Sequence, residues 1–174
     1  IIRQTGDLRR IVDEFSKFAR MPEPDLRRGD LVALVRDAAL LQEAGQPDVE
    51  FDVSLPEGEV IAELDATMIS QALTNLIKNA GEAIESYEEK FGSGDVVRNV
   101  SIELSHDAGS ALIQIADSGI GLPEDRGRLF EPYVTTRDKG TGLGLPIVKK
   151  IIEEHGGSLV LTDAPLKNGQ GRFG

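Results

Sequence analysis

Apolar positions along the chain change their period several times, and each change marks an element. Over residues 1–20, Ile1, Leu8, Ile11, Val12, Phe15 and Phe18 recur at three- and four-residue spacing, which predicts an amphipathic helix. Met21-Pro22-Glu23-Pro24 ends it, because proline removes a backbone donor and disfavours helix in the residue before it. A lone helix cut off in this way has no core of its own. It is expected to pack against a partner helix outside these residues or against a second copy of itself; the alternative is that it lies on the domain that follows. Asp30 is placed to cap a helix running to about residue 44, with Leu31, Leu34, Val35, Ala38 and Leu41 on one face and Gly45 as its stop. VEFDVSLP (49–56) alternates as a strand, Pro56-Glu57-Gly58-Glu59 makes a turn, and residues 60–64 form a short return strand. Asp65 caps the longest helix, residues 66–89, whose stripe is Ile69, Leu73, Leu76, Ala80 and Ile84. Beyond Gly92 and Gly94, two alternating strands, 97–105 and 110–117, are joined at Asp107-Ala108-Gly109. Residues 118–142 show little periodicity and read as a long loop. A helix over 143–155 stops at Gly156-Gly157, and a strand is expected over 158–163.

Short turns between consecutive strands and the absence of strict βα alternation favour an α+β fold. The expected architecture is a two-layer α/β sandwich, its sheet mixed but mostly antiparallel with helices on one face, preceded by one helix. A doubly wound parallel sheet does not fit this order. The expected domains are residues 1–20 as an incomplete helical piece, 21–29 as linker and 30–174 as the main domain.

Composition narrows the chemistry. The 174 residues hold 30 acidic and 19 basic side chains, a formal charge of −11 that disfavours a nucleic-acid or polybasic membrane surface. With no cysteine and 2 histidines, disulfides, thiolate sites and multi-histidine metal centres drop out. No apolar run approaches the roughly 18–20 residues that span a bilayer, so this piece is expected to be soluble. It starts without Met and ends at GRFG, as expected of a piece of something longer. Glycine is unevenly spread: of 19, five fall in residues 1–91 and 14 in the remaining 83. Glycine permits tight turns and close backbone approach, so the second half is expected to build loops around a ligand.

Four features carry that expectation. Asn75 and Asn79, four apart on the long helix, lie about 40° from each other on one face, with Glu82 continuing it. Two amide oxygens one turn apart can serve a hard cation such as Mg²⁺, which completes its shell with water and phosphate oxygens; alone, they would as readily be a solvated edge. Asp117-Ser118-Gly119-Ile120-Gly121 follows an apolar strand, where a carboxylate can accept from an exocyclic amine such as that of adenine. Gly140-Thr141-Gly142-Leu143-Gly144-Leu145-Pro146 opens the last helix with exposed N–H groups and a positive dipole end, a phosphate cradle. It is neither a P-loop, since no Gly-Lys-Ser/Thr follows, nor a dinucleotide fingerprint, since no strand precedes it. Arg137 and Lys139 bring local positive charge beside it.

In this order the segments Asn75-Leu-Ile-Lys-Asn79-Ala, Asp117-Ser-Gly-Ile-Gly121, Phe130-Glu-Pro and Gly140-Thr-Gly-Leu-Gly144-Leu closely resemble the N, G1, F and G2 boxes of sensor histidine kinases. The likeness covers about residues 30–163. Phe-Glu-Pro-Tyr-Val-Thr-Thr and the Asn-Ala-x-Glu-Ala run are most similar to the nitrogen-regulation type. The resemblance implies an ATP-binding catalytic domain in which Asn75 and Asn79 hold Mg²⁺ and Asp117 takes the adenine amine. Residues 122–139 would form a lid, and Gly140, Gly142 and Gly144 would contact the phosphates. It further implies nucleotide contacts at Lys78, Gly119, Gly121, Phe130, Thr136, Arg137, Lys139, Thr141 and Leu143. It implies a response regulator as partner, a homodimer through a helical hairpin, and a cytoplasmic domain of a longer protein in the bacterial inner membrane.

The chain departs from the family in its histidines. Neither His106, in the turn after a strand, nor His155, before Gly156, lies on the first helix or precedes an acidic residue as the family's phosphoacceptor does. A surface or helix-end role is expected for both. The first helix then resembles the second helix of the hairpin, with the acceptor outside this piece, and the last strand is expected to be truncated at Phe173-Gly174. Transfer of the ATP γ-phosphoryl group to an external histidine is therefore expected, without self-phosphorylation. The rivals are a relative that hydrolyses ATP to water, which would carry a glutamate where Asn75 stands, and a silent nucleotide-binding module.

Overall fold

The computed structural model describes residues 2–94, 97–134 and 142–164, and for residues 2–4 and 7 the backbone alone. The elements run α1 (Ile2–Ala19), β1 (Arg27–Asp30), α2 (Leu31–Gly45), β2 (Glu50–Ser54), β3 (Ile61–Leu64), α3 (Ala66–Phe91), β4 (Asn99–His106), β5 (Ala111–Asp117), a 3-10 turn at Arg126–Phe130 and α4 (Gly144–Glu154).

Two sheets form among the described residues. The larger has the order β2-β4-β5, with β2 and β4 parallel and β4 and β5 antiparallel. Alternation along the strands sends Val100, Ile102 and Leu104 inward with Phe51, Ile113 and Ile115, and leaves Asp52, Glu103 and Gln114 on the solvent side. Helices α2 and α3 cover the inner face and α4 packs on α3. The core between them includes Val32, Val35, Leu73, Ile77, Ile84, Val148 and Ile151. This is the expected α+β sandwich. Four residues of the expected stripe of α3, Ile69, Leu73, Ala80 and Ile84, are buried; Ile77 takes the fully buried place expected of Leu76, which is half-buried at the rim.

The second sheet differs from the sequence expectation. The strand over 61–64 does not return along β2; it pairs antiparallel with β1, from Arg27↔Leu64 to Asp30↔Ile61. Arg-Arg-Gly-Asp has no alternation to betray a strand, and its partner lies more than thirty residues away. Gly29 permits the approach, because a Cβ there would stand 2.8 Å from Leu64 Cδ1. The strand expected over 158–163 is a second correction. Leu159 packs on the core and Val160 is exposed, so the faces alternate, but the described residues form only an isolated bridge at Ala164. Periodicity reports side-chain direction; a strand also needs a neighbour for its backbone.

Two aspartates fix the junctions. Asp30 caps α2, accepting from Val32 N–H at 3.0 Å and Ala33 N–H at 3.3 Å, and also accepts from Val60 N–H at 3.0 Å, tying the helix start to the approach of β3. Asp65 caps α3 through Met68 N–H at 3.1 Å and accepts from Asp25 N–H at 3.0 Å. Those donors, Met68 first, hold its carboxyl below the usual carboxylate range. The C-terminal end of α1 lies on the domain: Phe18 and Met21 pack on the core, Lys150 Nζ sits 5.7 Å from the Phe18 ring centroid, and Leu8 and Val12 are exposed. No helix among the described residues is long and apolar enough to cross a membrane. The truncated strand end expected at Phe173-Gly174 lies outside the described residues.

Asp30→Ala removes a cap and a long-range acceptor together and should cost about 1–2 kcal/mol in urea unfolding, whereas Asp30→Asn should cost less. The native Asp65 carboxyl is depressed, so its contribution is complete above the ordinary carboxylate value and fades as pH falls through the lower native one. Unfolding midpoints followed from about pH 6 to about pH 3 should therefore drop less steeply in Asp65→Asn than in the unaltered chain.

Candidate functional site

The middle of α3 is the floor of the site. Asn75, Asn79 and Glu82 are half-buried on one side of it, beside the stripe that enters the core. Lys78 points away, 64% exposed, and pairs with Glu82 at 3.7 Å. Asn79 faces the start of α4: a Cβ on Gly144 would lie 3.7 Å from Asn79 Nδ2 and 4.0 Å from its Oδ1. That helix start carries no side-chain cap, and Pro146 sits within its first turn, where a missing N–H costs nothing. The uncapped N–H groups and the dipole they end make an attractive place for an anion. Leu143 is wholly buried, and its side chain serves the core.

One turn beyond Asn79, the end of β5 is docked on the same helix. Ile120 N–H donates to Ala83 O at 3.0 Å. Gly119 lies so close that a Cβ on it would stand 2.4 Å from the Ala83 carbonyl carbon and 2.6 Å from its oxygen. Asp117 accepts from Gly119 N–H at 2.8 Å, which fixes its carboxylate at the mouth of the turn. Buried Ser118 holds the turn from below: its hydroxyl bonds to Val97 O and accepts from Asn99 N–H at 2.9 Å, and Ser118 N–H donates to Asn99 O at 3.1 Å. Gly121, at φ 80°, turns the chain away.

The third piece is the closure of the loop after β5. Tyr133 N–H donates to Gly142 O at 3.1 Å, and a Cβ on Gly142 would meet the Tyr133 backbone at 2.6 Å. Both residues have positive φ, 66° at Tyr133 and 69° at Gly142. Phe130 ends the 3-10 turn, half-buried under Lys149 Nζ at 5.0 Å, and the Tyr133 ring meets Phe15 of α1 at 5.9 Å. Thr136, Arg137, Lys139, Gly140 and Thr141, and with them the later part of the expected lid, lie outside the described residues.

The fold thus brings Asn79 to Gly144 and the Asp117 turn to the same helix, with Lys78 exposed on that helix and paired with Glu82. Three residues lie inside the segments singled out by sequence but without a role assigned there. Ala83 and Ser118 serve by being small or buried, and Tyr133 by a backbone angle that no local pattern announces. Among the described residues no group of three or more His, Cys, Asp or Glu could hold a metal. A cation here would depend on amide oxygens of α3 together with ligand phosphate and water, a donor set that suits Mg²⁺. Both histidines lie away from this floor: His106 is exposed at the end of β4, and His155 caps the far end of α4.

Comparisons with known proteins bear on family and fold. A family model described as histidine kinase-, DNA gyrase B- and HSP90-like ATPase matches residues 64–173. The nitrogen regulation protein NtrY of Azorhizobium caulinodans is 49% identical over 166 residues, covering 95% of this chain and 21% of that protein; the chain thus spans about a fifth of that relative's length. The catalytic domain of histidine kinase ThkA superposes with a TM-score of 0.62 at 28% identity, over 75% of this chain and 82% of that one. Full-length ShkA in complex with AMPPNP gives 0.68 at 26% identity, over 98% of this chain and 35% of that one.

Because Gly119 abuts backbone rather than a movable side chain, Gly119→Ala should push the Asp117 turn off α3 and cost about 1–3 kcal/mol in chemical unfolding. Gly109→Ala, in open space, should cost less than about 1 kcal/mol and serves as the control.

Proposed function

The chain belongs to the family of histidine kinase-, DNA gyrase B- and HSP90-like ATPases and carries the ATP-binding catalytic domain of a sensor histidine kinase; on that premise we propose that it binds Mg²⁺-ATP between α3 and α4 and presents the γ-phosphoryl group to a histidine outside these residues. The observation that carries this is the Asn79 amide standing against Gly144 at the uncapped start of α4. In this reading the phosphates lie on the α4 N-terminus, where the dipole and the free N–H groups receive negative charge. Asn75 and Asn79 hold Mg²⁺, which supplies charge neutralisation. Asp117, its carboxylate held by Gly119 N–H, accepts the adenine amine. Thr136, Arg137, Lys139, Gly140 and Thr141 add the donors and cations that the resemblance assigns to them.

The protein's part is to position ATP and absorb charge. An imidazole nitrogen of the acceptor attacks the γ-phosphorus in line, an N–P bond forms as the bond to the bridging oxygen breaks, and ADP leaves with the electron pair. The acceptor is neither histidine of this chain. His106 stands at the far end of β4, and both ring nitrogens of His155 are already engaged. We take the response regulator as the phosphoryl group's next stop. We take the hairpin containing α1 as the dimer contact, and the cytoplasmic side of an inner-membrane protein, where ATP is available, as the location. The rival that hydrolyses ATP to water needs a carboxylate to activate that water, and Asn75 occupies its place.

Asn79→Ala should abolish Mg²⁺-AMPPNP binding in calorimetry while circular dichroism and the unfolding midpoint stay near those of the unaltered chain. An unchanged nucleotide affinity would sink the assignment, and steady ATP turnover by the isolated chain would favour the hydrolytic rival.

A further inference from the structure

Helices α3 and α4 run antiparallel and meet at two ends. At one, Gly144 faces Asn79; at the other, His155, at the C-terminus of α4, meets Asp65, the cap of α3. These ends are about 21 Å apart along α3 at 1.5 Å per residue. Between them Ile147, Val148 and Ile151 are buried. Apolar contact of this kind resists separation but has no direction, and a helix can slide or tilt on it. A directional bond at one end sets the register at the other.

The ring of His155 supplies that bond, and the backbone around it is over-determined. Gly156 N–H returns to Glu153 O at 2.9 Å and Gly157 N–H to Ile152 O at 2.9 Å, with Gly156 at φ 76°. This closes α4 with a left-handed glycine and aims the ring at α3. Nε2 accepts from Asp65 N–H at 2.9 Å, and Nδ1 lies 2.7 Å from Ile151 O. A carbonyl can only accept, so Nδ1 carries the proton and Nε2 the lone pair. Only the neutral ring with its proton on Nδ1 satisfies both contacts.

We propose that His155 is a positioning residue for the nucleotide site: its neutral ring clasps the end of α4 to the start of α3 and thereby sets where Gly144 stands against Asn79, and protonation opens the clasp. The consequence for ligand rests on the nucleotide reading above; the clasp itself does not. A protonated Nε2 becomes a donor facing another donor, the Asp65 N–H. The charged groups around it then decide where the ring goes. Asp65 presents its carboxylate from α3. Asp25, on the segment entering β1, is held by Arg27 at 2.8 Å. On α4 itself lie Glu153, paired with Lys149 at 3.8 Å, and Glu154. An imidazolium is drawn from the Asp65 amide toward the Asp65 carboxylate, and the register bond is lost.

The test uses the 174-residue chain and two substitutions. Gln can place a non-titrating acceptor where Nε2 stands, so His155→Gln should bind Mg²⁺-AMPPNP within about twofold of the unaltered chain at pH about 8. Between pH about 8 and about 5.5 the unaltered chain should lose roughly three- to tenfold more affinity than this variant, the scale of one lost hydrogen bond. Comparing the two cancels the nucleotide's own phosphate titration in the same range. His155→Phe keeps the bulk without the acceptor and should bind roughly three- to tenfold more weakly at both pH values. Equal pH dependence in the unaltered chain and His155→Gln, or full affinity in His155→Phe, overturns the proposal. NMR of the ligand-free chain gives an independent arm: the Asp65, Asn79 and Gly144 amide signals should follow the His155 ring titration, and stationary Asn79 and Gly144 signals overturn it. If the unaltered chain binds no nucleotide at pH about 8, the functional reading fails, while the NMR arm still decides the clasp.

Discussion

Everything around the site hangs from one close approach, the passage of Gly119 over the backbone of α3 at Ala83. Only a residue without a side chain can come within 2.6 Å of that carbonyl with its missing Cβ, and there the turn after β5 meets the helix that carries Asn75 and Asn79. The approach is reinforced by hydrogen bonds on either side of Gly119. Ile120 N–H bonds to the Ala83 carbonyl, and Ser118 bonds to the start of β4. Sheet and helix are therefore joined at the site itself by directional contacts, in addition to the non-directional core beneath. Because the start of α4 meets the same helix one turn away, at Asn79, one helix refers both ligand-facing turns to a common frame.

Much of this was legible in the sequence, and the reason is locality. Asp30 and Asp65 cap helices through N–H groups two and three residues away, so their pattern is written in the chain itself. The turn at Asp107-Ala108-Gly109 is equally local, with Asp107 accepting from Gly109 N–H at 3.0 Å and Ser110 N–H at 2.9 Å. The Asn and Gly segments could be picked out because their spacing has a chemical use. What stayed hidden depends on partners far along the chain. β1 needs residues 61–64 to be a strand, the extended stretch after α4 lacks a ladder over 158–163 however well its side chains alternate, and His155 finds Asp65 ninety positions away. Tyr133 is hidden for another reason, since its positive φ is a backbone state that its side chain does not favour.

The net charge of −11 is reconciled with an anionic ligand by where positive potential comes from. Lys78 is neutralised by Glu82, while Lys149 and Lys150 lie over the rings of Phe130 and Phe18. Beside these side chains, the uncapped first turn of α4 offers an anion backbone N–H groups. Such dipoles act within a turn or so of the helix end, so an acidic surface can surround an anion-accepting spot without cancelling it.

The bond between Tyr133 and Gly142 has a consequence for how such chains vary. It brings together two residues separated by eight others along the chain. The entropic cost of closing a segment grows only with the logarithm of its length, about 0.6 kcal/mol for each doubling. The closure entropy of this neck is thus insensitive to how many residues separate Tyr133 from Gly142, whereas a Cβ on Gly142, 2.6 Å from the Tyr133 backbone, would break the closure itself.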